Sequence, residues 1–156
     1  MIKYLLLDID STIAPNMYRG TDAVEVETWG QAHISIPRYI VDWLKLFAKK
    51  ENHRIIWCTD MGNISAQIES QFKIDVQDKL KFNTAPLGVW KKQAAIIKFA
   101  IEHPEDMVIC ADNDADLIKV DTLPKNLHLV IPTGTIKALS KEDLNKIDSY
   151  LSLIHI

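Results

Sequence analysis

Cysteine is scarce in this chain. Only Cys58 and Cys110 occur in 156 residues, each inside an apolar run. That excludes a disulfide scaffold, and the expectation is two buried, reduced thiols in a cytoplasmic protein. Long apolar runs are missing too. Nothing approaches the ~20 residues a membrane helix needs, so no membrane partner is expected. The leading Met-Ile-Lys-Tyr-Leu-Leu-Leu is short and cut by a charge, unlike a signal-peptide core. Basic charge is not in excess: 18 Lys and Arg stand against 21 Asp and Glu, for a net charge of −3. The chain as a whole therefore carries no footprint for nucleic acid, although this leaves room for a local basic patch. The five histidines, His33, His53, His103, His128 and His155, show no paired metal-binding spacing and read as surface or loop residues. There is no repeat, low-complexity tract or Pro/Gly-rich linker, so one domain over residues 1–156 is expected.

What is present is ordinary globular composition, 47 % apolar and 25 % charged. A chain of this length buries roughly 70 % of its unfolded surface and needs neither metal nor disulfide to fold. Short apolar runs alternate with segments of helical period, the pattern of an α/β domain with a mainly parallel sheet. The strand candidates are Lys3–Leu7, Arg54–Cys58, Lys79–Phe82, Met107–Ala111 and Leu127–Ile131. Four are strongly apolar, as strands covered on both faces should be; the polar Lys79–Phe82 suits an edge. Helices are expected over Pro37–Lys50, Asn63–Phe72 and Trp90–Ile101, with a last one opening on Ser140-Lys-Glu-Asp143, a capping-box-like start. Right-handed crossovers then give a three-layer α/β/α sandwich, Rossmann-like, on five strands. Residues 14–36 do not fit this alternation. Val24–Trp29 alternates, and Gly30-Gln31 offers a two-residue turn before Ala32–Ile36, so a β-hairpin flap is expected there.

The strong polar features follow the apolar strands or open a helix. In open α/β sheets the carboxyl ends of the strands are where ligands bind. Asp8-Ile-Asp10-Ser11-Thr12 follows the first strand, Thr59-Asp60 the second, and Asp112-Asn113-Asp114-Ala115-Asp116 the fourth, while Lys91-Lys92 opens the third helix. Two carboxylates two residues apart repel unless a cation or a proton offsets them. Singly, each feature has a bland reading as a loop, a cap or a solvated lysine. A calcium loop over Asp112, Asp114 and Asp116 fails, because Leu117 stands where Gly is needed and Leu123 where the bidentate Glu is needed.

The order of these segments resembles the four motifs of the haloacid dehalogenase (HAD) superfamily. They stand here as Leu5-Leu-Leu-Asp8-Ile-Asp10-Ser-Thr12, Ile55-Ile-Trp-Cys-Thr59, Lys92, and Val108-Ile-Cys-Ala-Asp112-x-x-x-Asp116. The resemblance covers about residues 1–135, and the first motif is its most specific part. It implies strand order 5-4-1-2-3, with the first strand between the second and fourth, which brings Asp8, Thr59 and Asp112 to one point. Cys58 and Cys110 would then flank the central strand, about twice the ~4.8 Å strand spacing apart and beyond disulfide reach.

The resemblance also implies roles. Asp8 would attack phosphorus to form an aspartyl-phosphate, and Asp10 would serve as general acid and then base. Mg²⁺ would be held by Asp8, the Asp10 carbonyl and Asp112, with Asp116, or its competitor Asp114, as the second acid of the last motif. Thr59 and Lys92 would hold the phosphoryl oxygens, with Ser11, Thr12 and Asp60 lining the substrate. Lys92 is preferred over Lys91 because Ala95, Ile96 and Phe99 follow it at helical spacing on the core side. Within the family resembled, an acid at position 10 favours a phosphatase or phosphotransferase over a dehalogenase or P-type ATPase. Asp60 and Asn113 depart from the usual pattern, which bears on substrate more than on mechanism.

Neither gap used for cap domains in that family is long enough here to hold one. An open site suits a phosphorylated small molecule or a macromolecular end, of protein or nucleic acid. Two other readings stay open: a non-catalytic HAD-like binding module, and a phosphotransferase, which usually needs a cap. A response-regulator receiver is disfavoured, because its phosphoacceptor Asp would fall where Asn83-Thr84 stands.

Overall fold

The most apolar segments of the chain become the centre of a parallel sheet. A computed structural model describes residues 1–15, 18, 20–28 and 33–152. In chain order its elements are β1 (Lys3–Leu7), β2 (Ala23–Val26), β3 (Ile34–Pro37), α1 (Arg38–Lys49), β4 (His53–Trp57), α2 (Gly62–Phe72), β5 (Asp78–Lys79), α3 (Gln93–Glu102), β6 (Met107–Ala111), a short 3₁₀ turn over Ala115–Leu117, β7 (Leu127–Val130) and α4 (Lys141–Leu151). The five-stranded sheet has order β5-β4-β1-β6-β7, and all its pairings are parallel. The first strand thus lies between the second and fourth of this sheet, as expected.

Side chains alternate across the strands and divide the core in two. Leu5, Leu7, Ile55, Trp57, Ile109 and Ala111 join a cluster with Ile40, Leu44 and Phe47 of α1, Ile68 of α2 and Leu144 and Ile147 of α4. Leu6, Ile56, Val108 and Cys110 point the other way, onto Ile96 and Ala100 of α3. Helices therefore cover both faces, which is why every residue of β6 is buried.

Local boundaries follow local chemistry. The Ser140–Asp143 capping box is present at the start of α4. Pro37 falls one place earlier than expected, ending β3 with an extended ψ of 136° and serving as the residue before α1. The edge strand is shorter than the Lys79–Phe82 run suggested: Asp78 and Lys79 alone are strand, both exposed. The first turn of α3 comes late, at Gln93, because residues from Pro86 to Lys92 form successive turns through Val89 N–H to the Pro86 carbonyl and Gln93 N–H to the Trp90 carbonyl. His53 and His128 lie in strands rather than in loops. His53 packs edge-on against Phe47, and His128 stacks on Tyr150.

In the segment over residues 14–36, β2 and β3 pair antiparallel, from Ala23 opposite Pro37 to Val26 opposite Ile34. The expected turn at Gly30-Gln31, and Trp29 beside it, lie outside the described residues. Gln71 of α2 ties β2 down, accepting from Glu27 N–H at 3.0 Å and donating to the Glu25 carbonyl at 2.6 Å. Among the described residues no helix is long and apolar enough to cross a membrane.

Candidate active site

The sheet register aligns three strand ends. Leu7 pairs with both Trp57 and Ala111, so Asp8, Cys58 and Asp112 leave the sheet side by side. The ladder continues one residue past the strands: Cys58 N–H donates to the Leu7 carbonyl at 2.8 Å, and Asp8 N–H to the Ala111 carbonyl at 3.1 Å. Two carboxylates thus meet at neighbouring strand ends, with Asp8 only 7 % and Asp112 1 % exposed.

Lys92 resolves the repulsion. Its ammonium contacts Asp8 Oδ1 at 3.1 Å and Asp112 Oδ2 at 2.7 Å, and donates to the Cys58 carbonyl at 2.7 Å. It is buried, on the residue before α3, with the Phe82 and Trp90 rings 5.6 and 5.8 Å away. Burial alone would lower its pKa, but Asp112 and Asp8 more than offset this and hold it above the usual lysine range. Asp112 is raised too: burial and the Asp8 charge push its carboxyl up to about 6, against the pull of Lys92. Lys91 is placed elsewhere. It is half-exposed and pairs with Asp60 on the loop after Thr59.

The turn after β1 completes the floor. Thr12 N–H, Ile13 N–H and Ala14 N–H all converge on the Ile9 carbonyl, with Ser11 at φ 55° where the chain reverses. This buries Thr12, whose hydroxyl donates to Asp8 Oδ2 at 3.4 Å and accepts Asn113 N–H at 3.1 Å. The Asn113 amide sits with its nitrogen toward Asp8 Oδ2 and the Asp10 carbonyl, 3.2 Å from each. Thr59 is buried and accepts Met61 N–H at 3.1 Å, and Asp112 Oδ1 accepts Asp114 N–H at 2.8 Å.

Of the residues singled out in the sequence, the structure therefore brings together Asp8, Thr12, Lys92 and Asp112, with Thr59 one residue beyond the carbonyl that holds Lys92. The Asp10 side chain is exposed, two residues from Asp8, and Ser11 is half-buried in the turn. Asp116 is exposed on the 3₁₀ turn, and neither its side chain nor that of Asp114 bonds to the cluster. Sequence reasoning did not find Phe82 and Trp90 around the ammonium, nor the Asn113 contacts. Trp90, two residues before Lys92, was the available signal.

The buried cluster holds two carboxylates and one ammonium, and so keeps one uncompensated negative charge when both acids are ionised. Asp8, Asp112 and the Asp10 carbonyl offer only hard oxygens, a donor set that fits Mg²⁺, which takes one or two carboxylates and completes its octahedron with water. Among the described residues there is no group of three or more His, Cys, Asp or Glu side chains placed to hold a metal. The two cysteines are free and buried. Burial pushes the Cys58 thiol up to about 12 and Cys110 well above its usual value, so neither offers a thiolate at neutral pH. Comparison of the chain with protein-family models, curated proteins and solved structures finds no match.

Proposed function

We propose that this chain is a Mg²⁺-dependent phosphohydrolase of the HAD type that works through an aspartyl-phosphate on Asp8. The observation that carries the reading is the convergence of Asp8, Asp112 and the Lys92 ammonium within 3.1 Å at adjacent parallel strand ends. A phosphate monoester is anionic and repels a nucleophile, so its hydrolysis calls for charge neutralisation and in-line positioning more than covalent machinery. Lys92 supplies one fixed positive charge against the phosphoryl oxygens. Thr59, buried at the neighbouring strand end, supplies a hydroxyl to the same group.

An Asp8 carboxylate oxygen bonds to phosphorus as the bond from phosphorus to the leaving oxygen breaks. The Asp10 carboxyl, exposed where a substrate arrives, gives its proton to that leaving oxygen. Water then attacks phosphorus, Asp10 takes the proton back, and the bond between Asp8 and phosphorus breaks to release phosphate. Asp8, Asp112 and the Asp10 carbonyl would hold Mg²⁺, which supplies Lewis-acid neutralisation of the phosphoryl charge. Thr12 and Asn113 fix the Asp8 carboxylate so that its attacking geometry is set before substrate arrives. On this reading residues 14–36 form a flap beside the site, and no cap covers it.

Rapid acid quenching during turnover of a ³²P-labelled monoester tests the covalent step. The expected outcome is a hydroxylamine-sensitive phosphoprotein that is absent in Asp8→Asn. Phosphate release with no label on the protein would instead mean direct attack by water.

A further inference from the structure

Between Asp78 and Glu102 the chain carries five lysines and no acid, in a protein whose net charge is −3. Lys92 is buried between Asp8 and Asp112, while Lys79, Lys81, Lys91 and Lys98 are exposed. Lys81, Lys91 and Lys98 line a groove between the segment that follows β5 and the outer side of α3. The groove holds about 290 Å³, and no carboxylate lines it. A hollow of about 170 Å³ continues it along α3, sharing Lys81, Ala95 and Lys98 and reaching Glu102. Lys91 pairs with Asp60 and Lys98 with Glu102, but all four side chains are exposed. Such pairs are weak and exchange readily for a better-placed anion. Lys81 has no partner among the described residues.

The wall opposite α3 is unusual in its backbone. Residues 81–85 run on from the edge strand without a turn or bend, and among the described residues their backbone makes no hydrogen bond. These same residues line the groove. Free N–H and C=O groups beside a sheet edge are a template for another extended chain. Other anionic partners fit less well. Nucleic acid would need ring faces for its bases, and here these are taken. Phe82 carries the Lys91 and Lys92 ammoniums at 5.8 and 5.6 Å, and Phe99 stacks on His103 at 4.2 Å. A bilayer would accept the exposed Leu87 at the next turn but would leave the 81–85 backbone unpaired. A second copy offering the same edge would set lysine against lysine.

We infer that this groove docks an extended acidic segment of a partner protein, which pairs with the backbone of residues 81–85 and sets carboxylates against Lys81, Lys91 and Lys98. Alternating acidic and apolar residues suit it, because successive side chains of an extended chain point to opposite sides. Since the Phe82 ring also carries Lys92, docking brings the partner beside the Asp8 edge. Docking of this kind does not depend on the phosphohydrolase reading.

Titration of the nitrogen-labelled full chain tests it, using a short peptide of alternating Glu and Val, with a Lys and Val peptide as control. The amide signals of residues 81–85 are expected to shift with the acidic peptide alone, and their hydrogen exchange to slow. Affinity should fall about threefold in Lys81→Ala and in Lys98→Ala, and further in the double variant. No shift with the acidic peptide, an equal shift with the control, or unchanged affinity in the double variant overturns the inference. Shifts without slowed exchange overturn the backbone pairing. Phosphatidylserine vesicles and a single-stranded oligothymidine are titrated in the same way. Tighter binding of either at residues 81–85 overturns the inference in favour of lipid or nucleic acid. Concentration-dependent shifts there without any peptide overturn it in favour of a second copy.

Discussion

Removing the Lys92 ammonium would leave Asp8 and Asp112 facing each other in a buried site with no counter-charge. Breaking a buried ion pair in this way costs about 3–5 kcal/mol. Lys92→Met is therefore expected to lower unfolding free energy in urea by that order without metal, and Mg²⁺ should restore part of the loss. A change below ~1 kcal/mol would mean that the ammonium is not the main compensator. Asp112 gives the matching pH dependence. Its folded carboxyl titrates at about 6, above the ordinary 3.8 of a free aspartate, so the native state binds its proton more tightly than the unfolded chain does. Its contribution to stability is therefore full below about 3.8 and is lost as pH rises through about 6. Metal-free protein should lose roughly 1–3 kcal/mol over that window relative to Asp112→Asn. Mg²⁺ affinity should rise over the same window, because the ion needs the ionised carboxylate. Parallel stability curves for the two proteins would contradict this. At this scale the acids were legible because each follows an apolar strand. The Asn113 contacts were not, since the motif gives its place after Asp112 but not the direction of its amide, and the Phe82 and Trp90 rings were not, since they reach the site from the segment between β5 and α3.

Elements were legible where composition was one-sided. Lys3–Leu7 and Met107–Ala111 have the bounds their apolar runs gave, and β4 and β7 are within one residue. The edge strand and the start of α3 were less so, because pairing and turns there depend on neighbours rather than on local apolar pattern. The start of α4 shows capping chemistry at full strength. Asp143 accepts Thr133 N–H at 2.9 Å, the Thr133 hydroxyl at 2.8 Å and Ser140 N–H at 2.8 Å. Burial would raise its pKa, but the bonds from Thr133 and Ser140 outweigh that and hold it below the usual carboxylate value. Its stabilisation is thus present above the unfolded value of 3.8 and fades as pH falls through the lower folded value. Asp143→Ala should cost about 1–3 kcal/mol at pH 7 in urea unfolding, with a smaller penalty near pH 3. A penalty equal at both pH values would mean that packing, not the charged acceptor, is what the residue supplies.

For the whole molecule, the strand order does the assembling. With β1 central, residues far apart in sequence, Asp8, Thr59 and Asp112, leave the sheet at one edge, and the turn before α3 brings Lys92 to them. The same order sets Cys58 and Cys110 on either side of β1, where both thiols are free. Period and composition indicated an α/β sheet. The strand order came from the motif resemblance, because spacing alone does not choose among parallel topologies. A net charge of −3 says nothing about so local a feature as a buried ammonium between two carboxylates.

Hydrolysis of phosphate monoesters through Asp8 is the activity we propose for this edge. Hydrolysis of p-nitrophenyl phosphate, measured with Mg²⁺, with EDTA and in Asp8→Asn, tests it most directly. Turnover is expected to require Mg²⁺ and to fall by at least ~10³-fold in Asp8→Asn, with circular dichroism showing the variant folded. Activity that survives in Asp8→Asn would contradict it.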